Sequence, residues 1–535
     1  WRGCMYGVYE LLERYIGWRF FYNKQTDSYL TKDADDAYYL YDSEHVDIPA
    51  GINDTQVPSF AYRQGRYTWY YNYDEHAKLR ESRSLRNLSK YNGYGSATFS
   101  AAVHGFRDAV NAGVIPDYDY GGYDIGSPQP CYNNEEVIEA AKTYFLGQIE
   151  KKIASGYEIG KDITVVDVAQ LDSGSFCKCK TCINAIAKER SGVASVLYFT
   201  NEMADAIGEA YPGLWVSMFA YYGTSTPPAK TMPRDNVNVS YCFYNDIDKL
   251  TCGNHTLDGK NCTEHPDDSY GTSNYNYATE FDRWCQIAKR ITVWYYPGNW
   301  ALNSITNSTI KTMLKDMRYF SDNGVYGIYS CCSNPKKETD WESIDALMLH
   351  LYNRLLWNAE MTEEEFQAEI DDYLYVLYGE GGKFVGDYYK WLETTDRIGC
   401  WPFMIAFGNP CDRTDFAKVR DGFELCLSMF DDAIKYAPSA KAEYGVRLAS
   451  RSMYVRGLIS VYHDWYENGN DAQKARYTEL WEYFRDLAVS SSYILSGGKC
   501  AVLSDFDISE NIGAMVDRFE GSPTRVSDWY DWQKY

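Results

Sequence analysis

The chain predicts an α/β protein built on a (β/α)8 TIM-type barrel, with the end of a small α/β domain before it and an α-helical domain after it. Three observations lead there. Short β-branched and aromatic runs alternate with helical periodicities from about Tyr62 to His350, the rhythm of strands wrapped by helices. One run, residues 161–172, is apolar enough for a buried strand and ends on a carboxylate, Asp172, at a Gly/Ser turn. Barrels deliver catalytic groups in this way, at the C-terminal edge of a strand. Past residue 351 the strand signals thin out while helical periods continue to about Ser492. At 535 residues the chain exceeds one ordinary core, so we expect domains at 1–54, 55–350 and 351–535.

In chain order, Val8, Leu11, Leu12, Tyr15 and Ile16 recur at helical spacing, Gly17 stops the helix, and Trp18 to Phe21 reads as a strand. Polar turn formers dominate residues 23–56. Pro58 to Arg63 reads as the first barrel strand, and Phe99 to Phe106 would carry His104 to the next loop of the catalytic edge. Gly113 to Tyr132 is rich in Gly, Pro, Tyr and Asp and reads as a long loop over that edge. After the 161–172 strand, a helix from about Ser195 to Ala210 turns Val196, Phe199, Met203 and Ile207 to the core. Trp215 to Tyr221, Asn236 to Tyr244, Ile291 to Tyr296 and Val325 to Ser330 read as further strands, with a cysteine-bearing insertion at 246–277. Ile310, Met313, Leu314 and Met317 mark a helix before Gly324. In the last third, Thr362 and Glu365 form a capping box for a helix that Gly379 ends, with Phe366, Ile370, Tyr373, Leu374 and Leu377 on one face.

Composition narrows the partners. A net charge of -23 would repel phosphates, which excludes nucleic acid. No window approaches the roughly 18 consecutive apolar residues of a membrane span. The chain opens inside a helical pattern, so we expect residues ahead of it, and the lack of a leader here is uninformative. The outlier is 51 Tyr and 15 Trp in a hydrophilic chain. Such side chains pair an apolar face with a polar tip, which suits sugar rings, although a compositional habit explains them equally well.

Fifteen cysteines cannot pair completely and leave the compartment open. Cys177, Cys179 and Cys182 follow Asp172 closely and could give three soft ligands to a structural zinc, with a fourth from Cys242, Cys252 or the Cys331-Cys332 pair. The alternatives are a disulfide with one free thiol, or reduced buried cysteines. No cofactor is expected for catalysis.

The segment Tyr6-Gly-Val-Tyr-Glu-Leu-Leu-Glu-Arg-Tyr-Ile-Gly-Trp-Arg-Phe20, the Pro58 to Arg63 strand, His104-Gly-Phe106 and the Asp172 loop with its three cysteines recur in a fixed order. Ala220-Tyr221 before Pro227-Pro228, Trp294-Tyr295-Tyr296 and Gly324-Val-Tyr-Gly327 complete the series. Together, up to about Trp391, they resemble a large family of secreted bacterial proteins known as a domain of unknown function, distantly similar to α-glucuronidases and β-hexosaminidases. The resemblance implies a secreted, periplasmic or cell-surface protein with a glycosidase-like pocket at the C-terminal edge of its barrel. In the glucuronidase-like relatives the general acid ends the fourth strand, and Asp172 is the matching position. The sequence departs from the pattern at Leu171, where an Asn usually stands, at Tyr295, where an Asp does, and at Ser330, near a common Glu.

Glycoside hydrolysis generally needs two carboxyl groups. We expect an exo-acting hydrolase of a complex glycan bearing acidic or N-acetylated sugars, with Asp172 as general acid. Asp246, just past the fifth strand, is the candidate for the second group; His104 or a substrate acetamido could replace it. Asp167 reads equally as a buried, hydrogen-bonded acid. Arg63 would offer its planar donor fork to a carboxylate or to hydroxyls, or else form a structural ion pair. Tyr221, Tyr296, Asn299 and Trp300 would line the sugar-binding walls, although each aromatic alone fits core packing. The departures also admit a non-catalytic carbohydrate-binding protein on a degenerate barrel.

Overall fold

A computed structural model describes residues 7–8, 10–19, 39–40, 47–53, 55–64, 104–116, 128–243, 279–295, 308–330, 344–395 and 415–490. Its centre is a parallel sheet of six strands: β3 (Tyr62–Gln64), β4 (Val165–Asp167), β5 (Trp215–Ala220), β6 (Val237–Cys242), β7 (Arg290–Tyr295) and β8 (Gly327–Ser330). Their order is β3-β8-β7-β6-β5-β4. The eight strands expected are therefore six among the described residues. The strand expected at Phe99 to Phe106 lies outside them up to residue 103, and its described end, 104–106, is not strand but a turn that opens a helix beside the edge of β4. There the Phe106 N–H donates to Ala169 O at 3.1 Å.

Alternation along the strands sets two faces. Val216, Met218 and Ala220 on β5, Val237, Val239 and Tyr241 on β6, and Val293 on β7 turn to the helices and are buried. The opposite face is mixed. Ser217, Asn238, Ser240 and Thr292 are buried on it and bond one another, with Asn238 Oδ1 alone of this set left without a partner among the described residues: Asn238 Nδ2 donates to Ser217 Oγ and Thr292 Oγ1, each at 3.0 Å. Thr292 in turn donates to Ser240 Oγ at 3.0 Å. Nearer the C-terminal edge the same face becomes aromatic, with Phe219 against Trp294 (centroids 5.4 Å apart) and Trp294 against Tyr329 (4.2 Å). A buried polar group costs free energy unless paired, so this ladder lets the inner face stay polar at its base.

Helices cover the apolar face. They are α1 (Phe106–Asn111), α2 (Glu135–Ala154), α3 (Lys180–Glu189), α4 (Ala194–Ala210), α5 (Ile310–Asp322) and α6 (Ile344–Trp357). On α4 the expected residues, Val196, Phe199, Met203 and Ile207, are all buried. A helical layer follows: α7 (Glu363–Tyr378), α8 (Gly382–Thr395), α9 (Phe416–Lys435), α10 (Ala440–Ala449), α11 (Arg451–Val461) and α12 (Asp471–Ser490). The capping box at its start is present. Thr362 Oγ1 accepts from the Glu365 N–H at 3.1 Å, and Glu365 Oε2 accepts from the Thr362 N–H at 2.9 Å. Gly379 ends α7 at φ 59°, where a Cβ would also meet Pro438 Cδ at 2.4 Å.

Three expectations change. The first strand of the parallel sheet is Tyr62–Gln64 rather than Pro58 to Arg63. The boundary at 350/351 falls inside α6, and one continuous core runs from Phe60 to Ala488 through both parts. The N-terminal helix ends in a π-turn, Leu12–Ile16, none of it fully buried, and Val8 is exposed. That turn stops at Gly17 (φ 83°), after which β1 (Trp18–Arg19) pairs antiparallel with β2 (Tyr39–Leu40). Arg19 Nη2 donates to Asp372 Oδ1 on α7 at 2.9 Å, fastening this piece to the helical layer. No helix among the described residues is long and apolar enough to cross a membrane.

Candidate functional site

Asp172 lies beyond the C-terminal edge of the sheet, but not at the end of a strand. β4 ends at Asp167, whose Oδ1 accepts from the Ala169 N–H at 2.9 Å, the hydrogen-bonded acid that the strand pattern allowed. One more peptide bond to β5 follows, from the Val168 N–H to Ser217 O at 3.1 Å, and then a side chain takes over the pairing. Gln170 Nε2 donates to Phe219 O at 3.1 Å, and Gln170 Oε1 accepts from the Phe219 N–H at 3.3 Å, an amide standing in for a peptide.

A second buried amide, Gln129, clamps the residues on either side of Asp172. Its Nε2 donates to Leu171 O at 2.6 Å and Ser173 O at 2.8 Å, while its Oε1 accepts from the Leu171 N–H at 3.1 Å. Tyr132 donates its hydroxyl to the same Oε1 at 2.8 Å. The sequence placed Gln129 in a loop over this edge but gave no sign of its role. The signal is an uncharged amide in a Gly- and Pro-rich segment, and only the fold shows what it meets.

Asp172 keeps 31% of its side chain exposed and meets two of the predicted residues. Tyr221 donates its hydroxyl to Oδ1 at 3.0 Å, and His104 Nε2 lies 3.8 Å from the same oxygen. His104 Nδ1 lies 2.6 Å from Gln170 O. A carbonyl only accepts, so Nδ1 carries the hydrogen and Nε2 turns its lone pair to Asp172. Burial lowers the His104 pKa below its ordinary value, against the opposing pull of the Asp172 charge and of the Gln170 carbonyl. The imidazole packs on Phe219 (4.7 Å) and Tyr221 (5.9 Å), so the aromatic inner face forms the floor beneath it.

Of the other residues expected in the pocket, Arg63 alone is described, and it lies elsewhere. Arg63 faces the helical side, in register with the buried Ile328. Its Nη1 donates to the carbonyls of Phe60 and Ala61, and its guanidinium lies 5.4 Å from the Trp357 ring. Asp246, Tyr296, Asn299 and Trp300 lie outside the described residues. Tyr295 also turns to the helices, its hydroxyl 3.5 Å from Asp316 Oδ2. Burial, and then Asp316, push its pKa well up.

The cysteines form a cluster of four. Cys131 joins Cys177, Cys179 and Cys182, with all four Sγ atoms within 4.8 Å of one another. Cys242, a proposed fourth donor, lies instead on β6 in register with Trp294, while Cys252, Cys331 and Cys332 are outside the described residues. Cys179 caps α3, and the Cys182 N–H it accepts draws its thiol down to about 7.

Residues 34–390, well over half of the chain, match a family described as a domain of unknown function, DUF4838. A search of curated proteins finds no match. Among solved structures, one similar chain is a GH138 enzyme targeting pectin rhamnogalacturonan II, at 10% identity and a TM-score of 0.35, covering 90% of this chain and 84% of that one. Another is a family GH115 4-O-methyl-α-glucuronidase with specificity for decorated arabinogalactans, at 12% identity and a TM-score of 0.46, covering 85% of this chain and 62% of that one.

Proposed function

Because the chain belongs to the DUF4838 family, whose name commits to no activity, we propose from its own site that it is a glycoside hydrolase with Asp172 as the proton donor. The observation that carries this is the setting of Asp172: a half-buried carboxyl past the sheet's C-terminal edge, held through its peptide by Gln129 and through Oδ1 by Tyr221. A carboxyl fixed in this way delivers a proton to a leaving oxygen without first reorganising. Exo-action on a glycan with acidic or N-acetylated ends follows the family resemblance.

Separation decides the role of His104. Paired catalytic carboxyls stand about 5–5.5 Å apart in retaining enzymes and about 6.5–9.5 Å in inverting ones. At 3.8 Å from Asp172, His104 stands too close to it to serve as the opposite-face group. That group, in this reading, is Asp246 or an acetamido of the substrate. The binding-protein alternative gains nothing from Tyr295, because that departure falls on the helix-facing side and takes no carboxylate from the inner face.

The test is sugar release from a panel of glycans ending in uronic acids or N-acetylated sugars. Asp172→Asn should lower turnover by about 10²–10⁴-fold, the usual worth of general acid catalysis, with binding retained. Glycan binding without turnover in the wild type, unchanged by the substitution, would favour the non-catalytic barrel.

A further inference from the structure

The four-cysteine cluster joins two segments that the Asp172 site depends on. Cys131 follows the Gln129 clamp, Cys177 and Cys179 lie in the turn after Asp172, and Cys182 opens α3. Cys131 Sγ lies 3.8 Å from Cys179 Sγ and 3.7 Å from Cys182 Sγ. Four sulfurs about 2.3 Å from a central zinc would sit about 3.8 Å apart along each tetrahedral edge. Disulfides need sulfurs about 2.05 Å apart and join them only in pairs, so they explain no convergence of four.

The surroundings suit thiolates as well. The Cys182 N–H points at Cys179 Sγ at 3.5 Å, and Asn133 Nδ2 donates to Cys182 Sγ at 3.2 Å while also reaching Ser195 Oγ at 2.6 Å. Such donors orient the ligands and spread their negative charge.

We propose that Cys131, Cys177, Cys179 and Cys182 bind one structural Zn²⁺. With four protein ligands the metal has no open position, so it performs no chemistry. It pins the Gln129 segment to the Asp172 turn, so that the clamp and the acid move as one body. The inference does not depend on the chain hydrolysing glycans, and its test reads metal rather than turnover.

Elemental analysis of the purified full chain should find one zinc per chain. Replacement by Co²⁺ should give the visible bands and sulfur-to-metal charge transfer of tetrahedral thiolate coordination. A mercurial thiol reagent should release the zinc in step with the loss of four thiols, a readout on wild-type protein that needs no variant to fold. Cys131→Ser should lower zinc retention against a competing chelator at least tenfold, whereas Cys285→Ser, at a thiol outside the cluster, should leave it unchanged. Iron in place of zinc, paired disulfides among the four by peptide mass spectrometry, or full zinc retention in Cys131→Ser would each overturn the assignment.

Discussion

His104 holds a backbone φ of 59°, a left-handed conformation that a side chain occupies only when its surroundings insist. The next residue shows what insists: a Cβ on Gly105 would fall 2.1 Å from Asp167 O, so only glycine lets this turn lie on the edge of β4. The imidazole is thereby set between Phe219, Tyr221 and Asp172, where burial favours its neutral form despite the Asp172 charge, and the nearby Arg107 acts in the same direction as burial. An unfolded chain binds a proton at this residue near pH 6.5, while the folded chain binds it only at lower pH. The contribution to stability is therefore complete above about pH 6.5 and falls as pH drops from there towards the folded value. His350, also buried with a lowered pKa, acts the same way, so only a variant isolates His104. Urea midpoints followed from pH 8 to pH 5 should decline less steeply in His104→Asn, since Asn tolerates the left-handed backbone. Parallel slopes in the two proteins would show that His104 titrates alike in both states.

Among the elements, those written in local pattern were legible and those completed by distant partners were not. Helix α7, with Thr362 and Glu365 at its start and Gly379 at its end, is a local device and reads directly. So does β5, expected at Trp215 to Tyr221 and found at Trp215–Ala220. The end of β4 did not, because past Asp167 one peptide bond to β5 remains, from the Val168 N–H to Ser217 O, and beyond it the Gln170 side-chain amide carries the pairing; residue type does not say what bonds the backbone. Cys131 escaped notice for a similar reason, being 48 residues from Cys179 with no spacing motif to link them. The crossing of α9 and α11 makes the same point. Gly457 in the middle of α11 looks like a flaw worth about 1 kcal/mol of helix propensity. Yet a Cβ there would fall 2.0 Å from the ring of Phe423, itself buried in α9. Overpacking of a tight core costs about 1–3 kcal/mol, so Gly457→Ala should destabilise by up to about 2 kcal/mol net, read as a lower urea midpoint at unchanged m-value. A stabilised variant would mean that the two helices can separate at little cost.

For the whole molecule, the question is whether the parallel sheet and the helical layer are two bodies or one. Chain length and the change from strand signals to helical periods argued for a division at residue 350, yet α6 passes through that point, with Leu347, Leu351 and Leu355 buried in a core that reaches from the strands to α12. A polar junction reinforces it. Arg354 on α6 bonds both Glu13 and Glu369, and His350 lies 3.4 Å from Glu369, so the N-terminal piece, α6 and α7 share one network. Burial pushes the Glu369 carboxyl up, but Arg354 outweighs it and holds the pKa well below the ordinary range. That stabilisation is complete above the unfolded value near pH 4.3 and is lost as pH falls below it. A chain ending at residue 350 would cut α6 and strip these leucines of their partners, so such a truncation should fail to fold. Calorimetry of the whole chain near neutral pH should then give one transition, with equal calorimetric and van't Hoff enthalpies, since a shared core cannot melt on one side alone. Two resolved transitions, or a soluble and cooperatively folded fragment ending at 350, would mean that the contacts across α6 are too weak to couple the halves.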